Sequence, residues 1–494
     1  MQLFYLVLFL KVYSSFAAAE SPSVIIVGAG AAGIAAATTL LENSITNVTV
    51  LEAKNRIGGR IHSVDFCGGV VEVGAQYCHG ENGNLVYQLL EKLDVLESSN
   101  LSKLAFAKLY TSNGHVVATD LAEDLVNTIF SYDEYLNASS GVSLQQAFLE
   151  VYNSGVLKKY SHDEQKQKIV KDALKFVKDA ILIYEGAFSL EKVASRNHFV
   201  GSDGDQNLVF KNQGYRILLD VLMKSYPNPN DKLPIDDKIL LNKTVTKITW
   251  NKSKVVVETS DNVSLIADHV IFTPSIGVLK EQMDSLFDPH LPKQKKEALD
   301  ALGFDGVMKI ILHFPTKWWK DDDYAISFLW SKEDLLNSTN EFPDGPSKDG
   351  ISWLANIPSL VQIRPNYNVL IAWYVGDLIP EIEKLPDDIL LRGCNYLFKK
   401  FLGKDYNVTD ADKVLKSQWC TDPHVRGTYS FEKVGYSKDN VSHNAKLAEP
   451  LVNEEGRSVL LFAGEATNPI HYSTVHGAVE SGKREAERII ELLK

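Results

Sequence analysis

Val24-Ile25-Ile26-Val27-Gly28-Ala29-Gly30-Ala31-Ala32-Gly33 is a short β-branched run that breaks into glycines and continues, through Leu41, into residues that favour a helix. A run apolar at every position belongs in a parallel sheet covered on both faces. The order is strand, glycine-rich turn, helix. Gly28 permits the tight turn, Gly30 lets the backbone approach a pyrophosphate, and Gly33 lets the helix lie on the strand. Ala32 stands in the first helical turn, whose free N–H groups face the phosphates. A second strand, Val48-Thr49-Val50-Leu51, ends in Glu52, 19 residues beyond Gly33. A carboxylate there accepts both ribose hydroxyls of an adenosine and repels a 2′-phosphate, so these residues read as a dinucleotide site.

The rest of the chain sets the frame for that site. Its 494 residues exceed a single domain of roughly 100–200 residues, and predict two to four domains or two interleaved ones. With 45% hydrophobic and 23% charged residues it is a globular protein, not a disordered or disulfide-scaffolded one. Fifty-one Lys+Arg against 63 Asp+Glu give a net charge of −12, which speaks against nucleic acid as a partner and favours cationic ligands. No metal site is read from the sequence, and the oligomeric state is left open. Leu3 to Leu10 followed by Phe16-Ala17-Ala18-Ala19 reads as a signal peptide over 1–19, although Lys11 and the lack of an early basic residue also suit an ordinary apolar N-terminus. Asn-x-Ser/Thr occurs at Asn47, Asn100, Asn137, Asn242, Asn251, Asn262, Asn337, Asn407 and Asn440, against roughly three or four expected by chance. Together these predict a secreted, N-glycosylated protein. Four cysteines, Cys67, Cys78, Cys394 and Cys420, allow at most two disulfides, so the fold rests on its core. The uncharged stretch Val24 to Leu41 reads as buried strand, turn and helix rather than a membrane span, and the closing helix, Arg484 to Lys494, carries no apolar tail, so no membrane anchor is expected. The last three residues are not a peroxisomal address.

Directly after Glu52 comes Ala53-Lys54-Asn55-Arg56-Ile57-Gly58-Gly59-Arg60, two arginines around a glycine pair. Further on stand Val73-Gly74-Ala75-Gln76-Tyr77-Cys78-His79-Gly80, Leu241 to Ile248, and a closing block with Phe462-Ala463-Gly464-Glu465-Ala466-Thr467 and Tyr472-Ser473-Thr474-Val475-His476-Gly477-Ala478. In this order the motifs resemble the FAD-binding amine oxidases over nearly the whole mature chain. The resemblance implies an α/β fold. Its FAD-binding, Rossmann-like domain is assembled from 20–85, 205–275 and 415–494, and a substrate domain with a mixed sheet and helices from 86–204 and 276–414. It implies that Glu52 holds the adenosine ribose, Arg60 the pyrophosphate, Gly74 and Ala75 the isoalloxazine, and Val245 the adenine, with Gln76 also among the cofactor-binding residues. Glu465 lies near the ribityl-pyrophosphate, and Ser473 and Thr474 near the flavin. Thr428 stands where monoamine oxidases place the cysteine bonded to flavin, so FAD is expected to be noncovalent.

Lys309, just before Ile310-Ile311-Leu312-His313-Phe314, reads by itself as a solvated lysine at the end of an alternating strand. The resemblance reverses this, because the matching lysine binds a water that contacts flavin N5. His79 resembles the histidine of animal spermine and acetylpolyamine oxidases, where plant-type polyamine oxidases carry an acid, and Tyr429 matches an aromatic that lies over the substrate. With Lys309, His79 and Tyr429 as catalytic residues, the implied reaction is oxidation of a polyamine (spermine, N1-acetylspermine or spermidine) beside a secondary amine by O2. It yields an aldehyde, a shorter amine and hydrogen peroxide. Glu185 is a candidate acid for the substrate tunnel. A secreted L-amino-acid oxidase, which needs a cation for its substrate carboxylate, and a flavin-binding extracellular protein without turnover are the alternatives. A histone demethylase does not fit, since neither substrate stretch has room for its long helical insertion.

Overall fold

A computed structural model describes residues 21–99, 101–131, 134–135, 141–195, 197–362, 367–436 and 442–493. The expected signal peptide and the sequons at Asn100, Asn137 and Asn440 lie outside the described residues. The strand Val24–Val27 sits inside a six-stranded sheet, between Val48–Leu51 and His269–Phe272, and pairs in parallel with both. Ile239–Leu240 flanks one side; Ser458–Phe462 and then Leu451–Val452 flank the other. All four residues of Val24–Val27 are buried, and they serve two cores in alternation. Val24 and Ile26 enter the core shared with the helix Ala31–Glu42, while Ile25 and Val27 enter one shared with the antiparallel strands Val245–Thr249 and Val255–Thr259. That is why the run has no polar position.

Ala31–Glu42 is buried at every residue except Glu42, and it lies along the last helix, Val475–Glu491. The approach is close: a Cβ at Gly482 would stand 2.1 Å from the carbonyl oxygen of Ala32. That last helix starts at Val475, nine residues before Arg484 where the sequence suggested. Its first turns contain Val475 and Gly477, poor helix formers that packing against Ala31–Glu42 overrides.

A second sheet has the order Lys413–Lys416, Met308–His313, Val369–Tyr374, Ser359–Gln362, Ala325–Leu329, Leu109–Thr111. It is mixed, because Leu109–Thr111 pairs in parallel and all others antiparallel. Met308–His313 is not the alternating strand its sequence suggested, since both faces are covered and only His313 is partly open. Met308, Ile310 and Leu312 pack toward the helix Asp387–Leu402. Ile311, on the other face, packs against Val71, Val73 and Trp419, and the period of two turns Lys309 the same way. The helices Thr119–Ile129, Leu144–Tyr152 and Glu164–Glu185 form a third core. Two small pairings cross between the parts: Leu96–Ser98 with Leu208–Phe210, and Leu302–Phe304 with Ser430–Glu432. The four cysteines are free thiols. No helix among the described residues is long and apolar enough to cross a membrane.

The helix contact at Gly482 yields a stability test. Gly482→Leu drives side-chain atoms into the Ala32 carbonyl and should lower stability by about 3 kcal/mol or more, read from the denaturant midpoint. Gly155→Ala, whose new Cβ meets no atom within 4 Å, should not lower it.

Candidate active site

Between the two sheets lies one cavity of about 1370 Å³. A pocket for one small ligand holds roughly 300–1,000 Å³, so this one has room for a dinucleotide and a substrate together. Gly28, Gly30, Ala32, Glu52, Arg60, Gly74, Ala75, Gln76, His79, Val245, Lys309, Tyr429, Glu465, Ser473 and Thr474 all line it. Gly33 does not: a Cβ there would stand 1.9 Å from the carbonyl oxygen of Gly28, so its part is to let the helix close on the turn. Gly28 itself adopts φ +99°, a conformation that favours glycine.

The first turn of Ala31–Glu42 fits a pyrophosphate. Its N-cap, Gly30, offers no side chain to the free N–H groups, which leaves them for an anion. Glu52 is held by the backbone N–H of Ala29 at 2.8 Å to one oxygen and of Lys54 at 2.9 Å to the other, with lone pairs left for two hydroxyls. Arg60 donates to Glu465 Oε1 at 2.9 Å and to the carbonyl of Thr428 at 2.7 Å. The second oxygen of Glu465 accepts from the Ser430 hydroxyl at 2.6 Å and the Ser473 N–H at 2.8 Å. Glu465 is thus a buried clamp and not a surface carboxylate. Thr474 spends its side chain capping the last helix, accepting from Gly477 N–H at 2.9 Å, so its backbone is what remains for a ligand. No described cysteine lines the cavity, and Thr428 stands there instead.

Lys309 is buried, with Nζ 3.0 Å from the Glu72 carbonyl, 2.8 Å from the Gly74 carbonyl and 2.7 Å from Gln76 Oε1. Three acceptors match the three donors of an ammonium. Burial opposes that charge and lowers its pKa from 10.5 to about 7, while the Glu72 carboxylate pulls it back up. Lys309 also faces the Trp373 ring, 5.1 Å from its centroid. Gly74 is fixed by crowding, because a Cβ would stand 1.9 Å from the Arg60 carbonyl.

On the far side of the cavity, His79 Nδ1 lies 2.7 Å from the Gln206 carbonyl, which can only accept. Nδ1 therefore carries the hydrogen, and loss of solvation lowers the pKa of the ring, which favours the neutral form with Nε2 as an acceptor. Tyr429 donates its hydroxyl to the Ile183 carbonyl, which fixes the ring. The helix Glu164–Glu185 ends at Gly186 with φ +62°, where a Cβ would stand 2.3 Å from the Tyr429 ring. Gly186 therefore sets Glu185 and Tyr429 side by side. Burial raises the Glu185 pKa from 4.5 to about 7. Aromatic walls from Phe106, Phe130, Tyr184, Trp373 and Tyr472 complete this half.

Several contributors were not found from the sequence. Gln206 acts through its carbonyl, which any residue carries, and Glu72 reads as one acid among valines. Glu432 lines the cavity and accepts from the ring Nδ1 and backbone N–H of His198, at 2.9 and 3.0 Å. Trp419 donates Nε1 to the Val73 carbonyl at 3.0 Å, and only a fold could pair them.

A parallel sheet with a glycine-rich turn, an acid after its second strand and a second sheet closing a shared cavity define a two-sheet dinucleotide-dependent oxidoreductase. The chain belongs to the flavin containing amine oxidoreductase family, which matches residues 31–490, and its cofactor is FAD. It is 31% identical to the bovine peroxisomal N(1)-acetyl-spermine/spermidine oxidase, over 96% of this chain and 95% of that one. It is 29% identical to maize polyamine oxidase 1, over 98% and 93%. A redesigned putrescine oxidase shares the fold, with a TM-score of 0.62 at 18% identity, over 95% of this chain and 99% of that one.

Glu465→Gln should weaken the charge-assisted contact to Arg60 by about 1.5–3 kcal/mol. The expected readout is a lower flavin content per polypeptide and an earlier thermal transition; unchanged flavin loading would show that the clamp is dispensable.

Proposed function

We propose that this enzyme oxidises polyamines at a carbon beside a secondary amine, giving an aldehyde, a shorter amine and hydrogen peroxide. The observation that carries the reading is that Glu185, a carboxyl with no ion-pair partner among the described residues, shares one cavity with His79 and the Tyr429 ring. Bound FAD supplies the two-electron oxidation and passes the electrons to oxygen.

The protein's own groups do the rest. Glu185 ionises when an ammonium arrives and holds it; His79 Nε2 accepts a hydrogen bond from a second amine; Tyr429 offers its ring face and keeps water out. Lys309, near neutrality in its proton affinity, can hold or give up a proton at Nζ beside the Gly74 carbonyl. Glu52, Arg60, Glu465 and the turn at Gly28–Gly33 hold FAD, together with Gly74, Ala75, Gln76, Val245, Ser473 and Thr474. Thr428, at the position where a cysteine would bond to flavin, lines the cavity, which favours a noncovalently held cofactor. The same reading assigns 20–85, 205–275 and 415–494 to the FAD domain, and 86–204 and 276–414 to the substrate domain.

An L-amino-acid oxidase needs a cation for its substrate's carboxylate. Among the described lining residues, Arg60 is bound to Glu465, Lys309 to three oxygens, Lys54 to Asp422 and Lys243 to Asp261. None is free to form that clamp, which favours the amine.

Peroxide release from purified holoenzyme should follow spermine, N1-acetylspermine or spermidine and not a monoamine or L-leucine; leucine turnover alone would overturn the reading. With a polyamine, kcat/KM should fall as pH drops below about 7, because protonated Glu185 no longer attracts an ammonium. Glu185→Gln should flatten that limb and raise KM more than it changes kcat.

We also propose that the protein is secreted and N-glycosylated. Asn47, Asn242, Asn262, Asn337 and Asn407 are exposed and Asn251 is half-buried, so the described sequons are reachable by the transferase. Protein made in a secretory host should lose mass on treatment with an N-glycosidase, and an unchanged mass would count against this.

A further inference from the structure

From Gln418 to Thr428 the chain crosses the cavity and is fastened on both sides. On the side of the mixed sheet, Glu383, fully buried, accepts the N–H groups of Cys420 and Thr421 at 3.0 and 2.7 Å and the Thr421 hydroxyl at 2.7 Å. On the other side, Trp419 donates to the Val73 carbonyl at 3.0 Å, Ser275 donates its hydroxyl to the Val425 carbonyl, and the Lys54 ammonium pairs with Asp422. Trp419, Pro423, His424 and Val425 line the cavity, as do Lys54 and Glu52. Lys54 stands two residues from the acid at the ribose position, and its backbone N–H binds that acid.

These fastenings differ in how they open. Releasing Glu383 would strand a buried carboxylate with its donors gone, which is costly. The Lys54 and Asp422 side chains are 25% and 13% exposed, so water and salt can compete for them when they separate.

We propose that the segment Gln418–Arg426 is the strap that retains FAD, that Lys54 and Asp422 form its clasp, and that Glu383 anchors its fixed end. Flavin leaves and reloads when the clasp opens. The inference concerns the cofactor and stands whether or not polyamines are the substrate.

The test is the rate of FAD release from holoenzyme on dilution, followed by the rise in flavin fluorescence without substrate. Lys54→Met and Asp422→Asn should each release FAD about fivefold faster, the double variant no faster than either, and Lys54→Arg at nearly the wild-type rate. Wild-type release should quicken between about 0.05 and about 1 M salt, and Lys54→Met should not respond. Lys247→Met, which breaks the surface pair with Asp288 at 2.9 Å, should leave release unchanged. Salt-independent release from the wild type would overturn the clasp, as would single-variant effects that multiply in the double.

Discussion

The Glu465 carboxylate is the point on which the site depends. It receives Arg60 from the turn after the glycine pair, Ser430 from the strand beside Tyr429, and the backbone of Ser473 ahead of the last helix. Arg60 lies 405 residues from Glu465 in the chain. A buried carboxyl is tolerated only when its oxygens are met, so burying it draws all three segments to one place. The wall that carries Tyr429 and the floor that carries Arg60 are thereby set relative to each other.

Lys309 follows the same logic with opposite charge. A strand covered on both faces would normally exclude an amine, and the fold accepts one because two backbone carbonyls and Gln76 converge on Nζ. The carbonyls are those of Glu72 and Gly74, so the stretch that brings Gly74 to the cavity lining also holds the lysine. Removing its partners would leave an uncompensated charge, whereas keeping them leaves an amine whose protonation lies within reach of neutral pH.

Chemistry in the substrate half is arranged by shape. Gly186 ends a helix in a left-handed conformation and makes room for an aromatic ring, and this brings the last carboxylate of that helix beside the cavity. His79 gains its tautomer from a loop carbonyl 127 residues away, and His198 with Glu432 holds the start of that loop. The imidazole and the ring are each fixed by a backbone carbonyl, which carries no sequence signature.

By itself the sequence determined the features whose physics is local. The turn at Gly28–Gly33, the helix that follows it and the strand to Glu52 depend on neighbours a few residues away, and the structure has them where the pattern puts them. The order of motifs, read as a family resemblance, reached further and assigned Arg60, Lys309 and Glu465 before any contact was visible. Only the tertiary structure decided which groups surround the Lys309 amine, that the last helix begins at Val475, and that Gln206 and Trp419 line the cavity while the Glu72 carbonyl meets Lys309. The reason is the same in each case. Burial, hydrogen-bond partners and proton affinity come from groups hundreds of residues distant, and a residue's spacing along the chain carries no record of them.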